Sequence, residues 1–277
     1  MAGLQKFNEL ITSPRTQNYL VQVLGERKGA FVNNLTAVVA NNTQLQRCEP
    51  LTVMYAAIKA TALNLPFDPA LGYDYVIPYN NGRTGGVDAQ FQIGWKGLVQ
   101  LAQRSGQLQS INAREVKAGE IVEEDFVSGE LQFKQLPQSE RASAPTIGYV
   151  AFFRLKNGFQ KMLYMSIEEL KEHAKRFSRA ANSGPWKTDF DAMARKTVLK
   201  LLLNRWCPLS VEMQQAIEFD QSVVRDESGK PEYVDNDAET YYEPTEEVIA
   251  ERTEEYATQI LQQGATPADE VVNQENS

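Results

Sequence analysis

The chain of 277 residues contains one histidine and two cysteines. Cys48 and Cys207 lie far apart and in no CxxC pair, so neither a disulfide scaffold nor a zinc ribbon is expected, and a reducing cytoplasm is the natural compartment. His173 alone supplies no Cys/His metal site and leaves no spare histidine for a Ser-His-Asp or Cys-His hydrolase. No apolar run approaches the roughly 18 residues of a membrane span. The opening MAGLQKFNEL lacks the cationic start and apolar stretch of a secretory signal, so none is expected. A phosphate-cradling GxxxxGK(S/T) loop is missing too: Gly229-Lys230 runs into Pro231 without the upstream glycine, and no GxGxxG follows a strand. ATP-driven chemistry is not expected.

What is present is enough apolar material for a real core, 42% of residues, in one large domain or two small ones. The net charge of −8 hides a division. Residues 220–277 hold 16 acids and 3 bases, leaving 20 acids and 25 bases for residues 1–219. The most basic stretch, 154–205, has 12 bases against 5 acids. A basic body with an acidic tail points to nucleic acid or a charged partner, although a solvated surface with a solubility tail has the same composition.

The first seventy residues read as helical. Ser13-Pro14 places an N-cap before a proline at the first helical position, and Gly25 stops that helix. Apolar periodicity continues through Phe31, Leu35 and Val39, then from Pro50 through Met54 and Ile58 to the proline-marked boundary at Leu65-Pro66-Phe67-Asp68-Pro69. YDYVIPY (73–79) and VDAQFQI (87–93) flank an Asn/Gly-rich turn and predict a hairpin. Trp95 to Ser105 predicts a short helix. Strands are expected over 108–118, 131–136, 146–155 and 159–165, with Asn157-Gly158 turning the last pair and 137–145 left as a mobile loop. Ser166-Ile167-Glu168-Glu169 is a capping box that opens a helix. A second helix runs from about Asp189 to Arg205, and Leu209 to Phe219 adds a short one. Beyond Asp220 an acidic linker is expected, then one amphipathic helix over 244–263. The fold class is therefore α+β. Its expected divisions are an N-terminal helical region (1–69) for subunit contacts, a core (70–219) and an acidic C-terminal segment (220–277).

The candidate site is cationic rather than catalytic. Lys171, Lys175 and Arg179 recur at i, i+4, i+8 and form one ridge on the capped helix, with Arg176 beside it. A loop of donors, a glycine and a ring follows, Asn182 to Lys187, with Trp186 as the best stacking candidate. The last core helix carries Arg195, Lys196 and Lys200. It is apolar nearly all round, so its cations are expected at its edges. Lys96 and Arg104 add two more on the earlier helix. Spaced cations beside aromatic rings suit a phosphate backbone with unpaired bases. The ridge alone also fits a solvated helix face, and Trp95 and Trp186 also fit a core. His173, four residues after Glu169, reads as exposed and paired. Glu123-Glu124-Asp125 is the one dense acid run in the body, and it reads as a hairpin end. It leaves a metal-dependent nuclease as one alternative, and a scaffold for an acidic partner is the other.

Three blocks carry a resemblance: LPFDPALGYDYVIPY (65–79), QFQIGWKGLVQLAQRSGQ (90–107) and SRAANSGPWKTDFDAMARKTVLKLLLNRWCPLS (178–210). Together they resemble the RecT family of phage single-strand annealing proteins, over about residues 50–219. The resemblance implies an ATP-independent recombinase that coats single-stranded DNA and pairs it with a complementary strand. It implies a Rad52-like core, a curved antiparallel sheet backed by helices, assembled into a ring or helical filament. Carried over by position, it places Lys96, Arg104, Trp186, Lys187, Arg195, Lys196 and Lys200 in the DNA groove. Implied partners are single-stranded DNA, the annealed duplex, a phage exonuclease and a host single-strand-binding protein, the last two through the C-terminal segment. The setting is the cytoplasm of a bacterial host. No cofactor is implied, and Mg2+ would enter only with the DNA.

Overall fold

The computed structural model describes residues 2–66, 71–81, 85–125, 127–178, 181–182 and 184–233. Four helices come first: α1 (Ala2–Thr12), α2 (Pro14–Leu24), α3 (Lys28–Ala40) and α4 (Pro50–Ala62). Ser13 caps α2 by accepting from the Thr16 N–H, and Pro14 occupies the position where no N–H is needed. α4 is buried almost all round, from Thr52 to Ile58 and at Ala60. Its small residues Ala56, Ala57 and Ala60 let the next sheet pack closely against it.

That sheet begins with β1 (Asp74–Asn80) and β2 (Val87–Ile93), the expected hairpin, in antiparallel register from Asp74↔Ile93 to Asn80↔Val87. α5 (Trp95–Arg104) follows directly. Here the glycines of the Gly94-Trp95-Lys96-Gly97 block have a steric reason. A Cβ at Gly94 would lie 2.2 Å from the Gly72 carbonyl oxygen, and one at Gly97 2.2 Å from that of Tyr73. The incoming chain crosses the start of α5 too closely for any side chain.

A second sheet has the order β3-β6-β7, from β3 (Leu108–Lys117), β6 (Thr146–Leu155) and β7 (Gln160–Ser166). A separate hairpin pairs β4 (Ile121–Asp125) with β5 (Glu130–Phe133). The strands thus divide among separate antiparallel sheets. The stretch expected to be a mobile loop contains α6 (Gln138–Ser143), fixed by Arg141, whose guanidinium donates to Glu120 at 2.7 Å and Glu115 at 3.0 Å.

Both closing helices form as expected. α7 (Ile167–Phe177) opens on the reciprocal capping box: the Glu169 N–H donates to Ser166 Oγ and the Ser166 N–H to the Glu169 carboxylate. After α8 (Gly184–Thr188), α9 (Phe190–Trp206) crosses the helix-facing side of the second sheet, and α10 (Val211–Phe219) packs on α5.

Asp220 does not begin a linker. β8 (Ser222–Val223) pairs with β2 and β9 (Glu232–Tyr233) with β8, so this segment completes the first sheet. Arg225 pins it to Asp88, and Arg15 of α2 reaches Glu227. A single hydrophobic cluster joins Phe7, Leu20 and Leu35 of the N-terminal helices to Leu98, Phe153 and Val198. The core therefore runs straight across residue 69. The compact unit extends to Asp235, and the expected amphipathic helix over 244–263 lies outside the described residues. Among the described residues no helix is long and apolar enough to cross a membrane.

Candidate nucleic-acid interface

α9 is set by Asp189, which caps it through the Ala192 N–H, and by seventeen residues free of glycine and proline. Its inward rows contain two of the expected DNA-contacting lysines. Lys196 is only 6% exposed and its Nζ lies 2.7 Å from Asp220 Oδ1; Lys200 Nζ lies 2.6 Å from Asp220 Oδ2. Asp220 also accepts the Ile93 N–H at 3.1 Å, so one carboxylate ties α9, the end of α10 and β2 together. Burial alone would raise the Asp220 carboxyl, but the two ammonium groups outweigh it and hold it below the ordinary carboxylate range. Burial lowers Lys196, against the pull of Asp220. The expectation that both lysines emerge at the helix edges gives way here, because the buried carboxylate turns them inward.

Two more candidates are committed elsewhere. Arg195 donates to Glu115 at 2.8 Å and lies 3.8 Å from Asp191, within the network that also holds Arg141, and its guanidinium stands 6.0 Å from the Trp95 ring. Arg104 points both terminal nitrogens at the end of α4, 2.8 Å from each of the Leu63 and Asn64 carbonyl oxygens. It satisfies acceptors that a helix end leaves open. Trp186 is 7% exposed, packs 5.7 Å from the Phe190 ring, and among the described residues its indole N–H has no partner. The ring is core, not a stacking platform.

Lys96, Lys171, Lys175 and Lys187 are exposed. Lys96 Nζ lies 3.5 Å from the Leu71 carbonyl oxygen, a long contact. Lys171 and Lys175 line the outer face of α7, and Lys187 stands on α8. Arg179 lies outside the described residues.

The structure also gathers groups that the sequence reading did not combine. His173 on α7 is half-buried, 4.6 Å from the Phe177 ring, and lies within electrostatic reach of Lys200, Arg176 and Arg205. Burial first, then those three cations, push its imidazole down to about 4. It is not the exposed partner of Glu169, whose carboxylate serves the capping box. Arg205 and Lys161 flank the Trp206 ring at 5.7 and 5.8 Å. Among the described residues no acid pairs with Arg176 or Arg205. One signal for Lys161 was available: it shares strand parity with Leu163 and Met165 and so lies on the helix-facing side of β7. Nothing in the spacing brought Arg205 to His173.

The acid run of the β4–β5 hairpin is exposed, and Asp125 closes the turn by accepting the Val127 and Ser128 N–H groups. Among the described residues no group of three or more His, Cys, Asp or Glu is placed to hold a metal ion.

The family model of the RecT family matches residues 29–239. The uncharacterized protein YqaK of Bacillus subtilis (strain 168) is 37% identical over 252 residues, 89% of this chain and 84% of that protein. Protein RecT of Escherichia coli (strain K12) is 29% identical over 215 residues, 76% of this chain and 78% of that protein.

Proposed function

This chain belongs to the RecT family, and from that premise we propose that it binds single-stranded DNA and anneals complementary strands without ATP during homologous recombination. The observation that carries the reading is the family match over most of the folded body. The basic balance of residues 1–219 supports it, as do the exposed cations Lys171, Lys175 and Arg176 of α7, Lys187 of α8 and Arg205 of α9.

The chemistry is electrostatic. Two strands resist approach because both are polyanions, and a row of cations that neutralises phosphates releases condensed counterions and removes much of that repulsion. With the backbone held and the bases outward, a second strand is tested by pairing, so sequence specificity belongs to the DNA. No bond is made or broken, and the protein acts as a binding partner rather than an enzyme. One chain holds few nucleotides; a ring or filament of copies adds many weak contacts in register. In this reading the acidic C-terminal segment serves protein partners, an exonuclease and a host single-strand-binding protein, in the bacterial cytoplasm.

Binding of labelled single strands of unrelated sequence, followed by anisotropy across a salt series, tests the reading. Similar affinities that fall steeply with salt, and conversion of the bound strand to duplex when its complement is added, are expected. Sequence-selective binding, or no binding at low salt, contradicts it.

A further inference from the structure

We propose that Tyr75, on the side of the β1–β2 hairpin away from the core, is a stacking platform for one unpaired DNA base, with Lys96 of α5 holding an adjoining phosphate. The proposal deepens the annealing reading and depends on it for the ligand.

Strand alternation turns Asp74 and Val76 into the core and Tyr75 outward, opposite Gln92 in the hairpin register. Among the described residues three aromatic rings are exposed, Tyr75, Phe133 and Phe159. Phe133 belongs to the acid β4–β5 hairpin, which repels a phosphate backbone, and Phe159 leans on Phe153 at 6.0 Å. Tyr75 has a lysine beside it.

Two bare backbones fix that placement. A Cβ at Gly72 would lie 3.0 Å from the Tyr75 hydroxyl oxygen, 3.7 Å from Lys96 Cδ and 3.9 Å from Lys96 Nζ. One at Gly94 would lie 3.1 Å from Tyr75 Cε2. The phenol thus lies across the main chain of Gly72 and Gly94, and the lysine stem reaches the same Gly72 from the first turn of α5. Gly72 is also left-handed, with φ +73°, so its own conformation favours the residue that leaves room for the ring. Backed in this way, Tyr75 remains 37% exposed. The Lys96 ammonium has the Leu71 carbonyl oxygen at 3.5 Å and, among the described residues, no acid partner.

A ring and a cation side by side match the base and phosphate of one stretch of single strand. Tyrosine has few rotatable bonds to immobilise, and main chain behind the ring already limits them. Stacking uses the π-face that every base has and leaves the pairing edge free. One base per copy is therefore gripped without sequence preference while it stays open to the complementary strand. Lys96 neutralises the charge that arrives with that base. A ring that merely covers two glycines would instead show no preference for bases.

Anisotropy of the full chain with oligothymidylate, and with an abasic strand of equal length, separates the two roles. The strands carry the same charge and differ in their bases alone. Tyr75→Leu keeps apolar cover over the glycines and removes the π-face; Tyr75→Met gives a second such cover. Each should weaken oligothymidylate binding about tenfold or more and abasic binding by less than about twofold. Tyr75→Phe should restore the preference for the strand with bases. Lys96→Gln should instead flatten the log–log salt slope by about 0.7 per lost contact on both strands. Equal losses on both strands for Tyr75→Leu and Tyr75→Met, or no loss on either, would overturn the platform, while tight parental binding of oligothymidylate would leave the annealing reading standing. A parent that binds neither strand at low salt removes that reading, and the platform with it.

Discussion

Replacing Asp220 by asparagine leaves the volume in place and strands two ammonium groups in the interior. The nitrogens lie 2.7 and 2.6 Å from its oxygens, with Asp220 itself 2% exposed. At an effective dielectric of about 20, each unit pair with charge centres about 4 Å apart is worth about 4 kcal/mol before the cost of burial. Losing one partner of a buried pair typically costs about 3–5 kcal/mol, because the surviving charge has no counter-ion. For a chain of this size that is a fall in melting temperature of roughly 6–20 °C. Thermal unfolding of Asp220→Asn at neutral pH, followed by circular dichroism, measures it. The same geometry requires Lys196→Met, which keeps the buried stem and removes the charge, to hold single-stranded DNA affinity within about twofold in the cold, where the variant is folded. An Asp220→Asn protein that melts within about 2 °C of the parent, together with a tenfold loss of DNA affinity in Lys196→Met, would return Lys196 to the DNA groove and refute the reasoning.

Asp74 is 1% exposed, among the described residues neither of its carboxylate oxygens is hydrogen-bonded, and burial pushes its carboxyl up to about 7. Between pH 3.8 and about 7 the folded chain keeps a proton that the unfolded chain gives up, so stability is lost as pH rises through that window. Asp74→Asn should match the parent near pH 4 and exceed it by up to about 4 kcal/mol above pH 7, as read by urea unfolding. Gly97→Ala should lose about 3 kcal/mol or more against the Tyr73 carbonyl, whereas Gly29→Ala, in α3 with nothing within 4 Å of the new Cβ, should gain about 0.5–1 kcal/mol; paired thermal melts check both. Lys171→Glu and Lys175→Glu should weaken single-stranded DNA binding equally for all sequences and flatten the log–log salt slope by about 0.7 per lost contact.

Local signals in the chain carried well into the fold. Ser13-Pro14, the Ser166–Glu169 box and the Asn157-Gly158 turn each act within a few residues, and each forms where its chemistry requires. The pairing of charges did not carry over, because the partners are distant. Asp220 lies 24 and 20 residues from its lysines, and Glu115 lies 80 residues from Arg195. Helical spacing fixes which side of α9 a lysine occupies, but not whether a buried carboxylate waits there. Short elements were equally silent: β8 and β9 have two residues each and no periodicity to read, so the segment closing the first sheet looked like a linker. Trp186 shows the limit of composition. A ring beside lysines suits a base, yet Phe190 on the next helix draws it into the core. The family blocks contain both kinds of residue: the glycines at 94 and 97 are steric, Arg104 closes a helix end, and Lys96 and Lys187 remain exposed.

The most direct measurement is the rate of duplex formation between two complementary oligonucleotides, one end-labelled, with the full chain present and ATP absent, across a salt series. Acceleration with intact strands, fading as salt rises and reduced by Lys171→Glu with Lys175→Glu, is the expected result. Tight single-strand binding without acceleration would make the protein a coat rather than an annealer and contradict the proposed function.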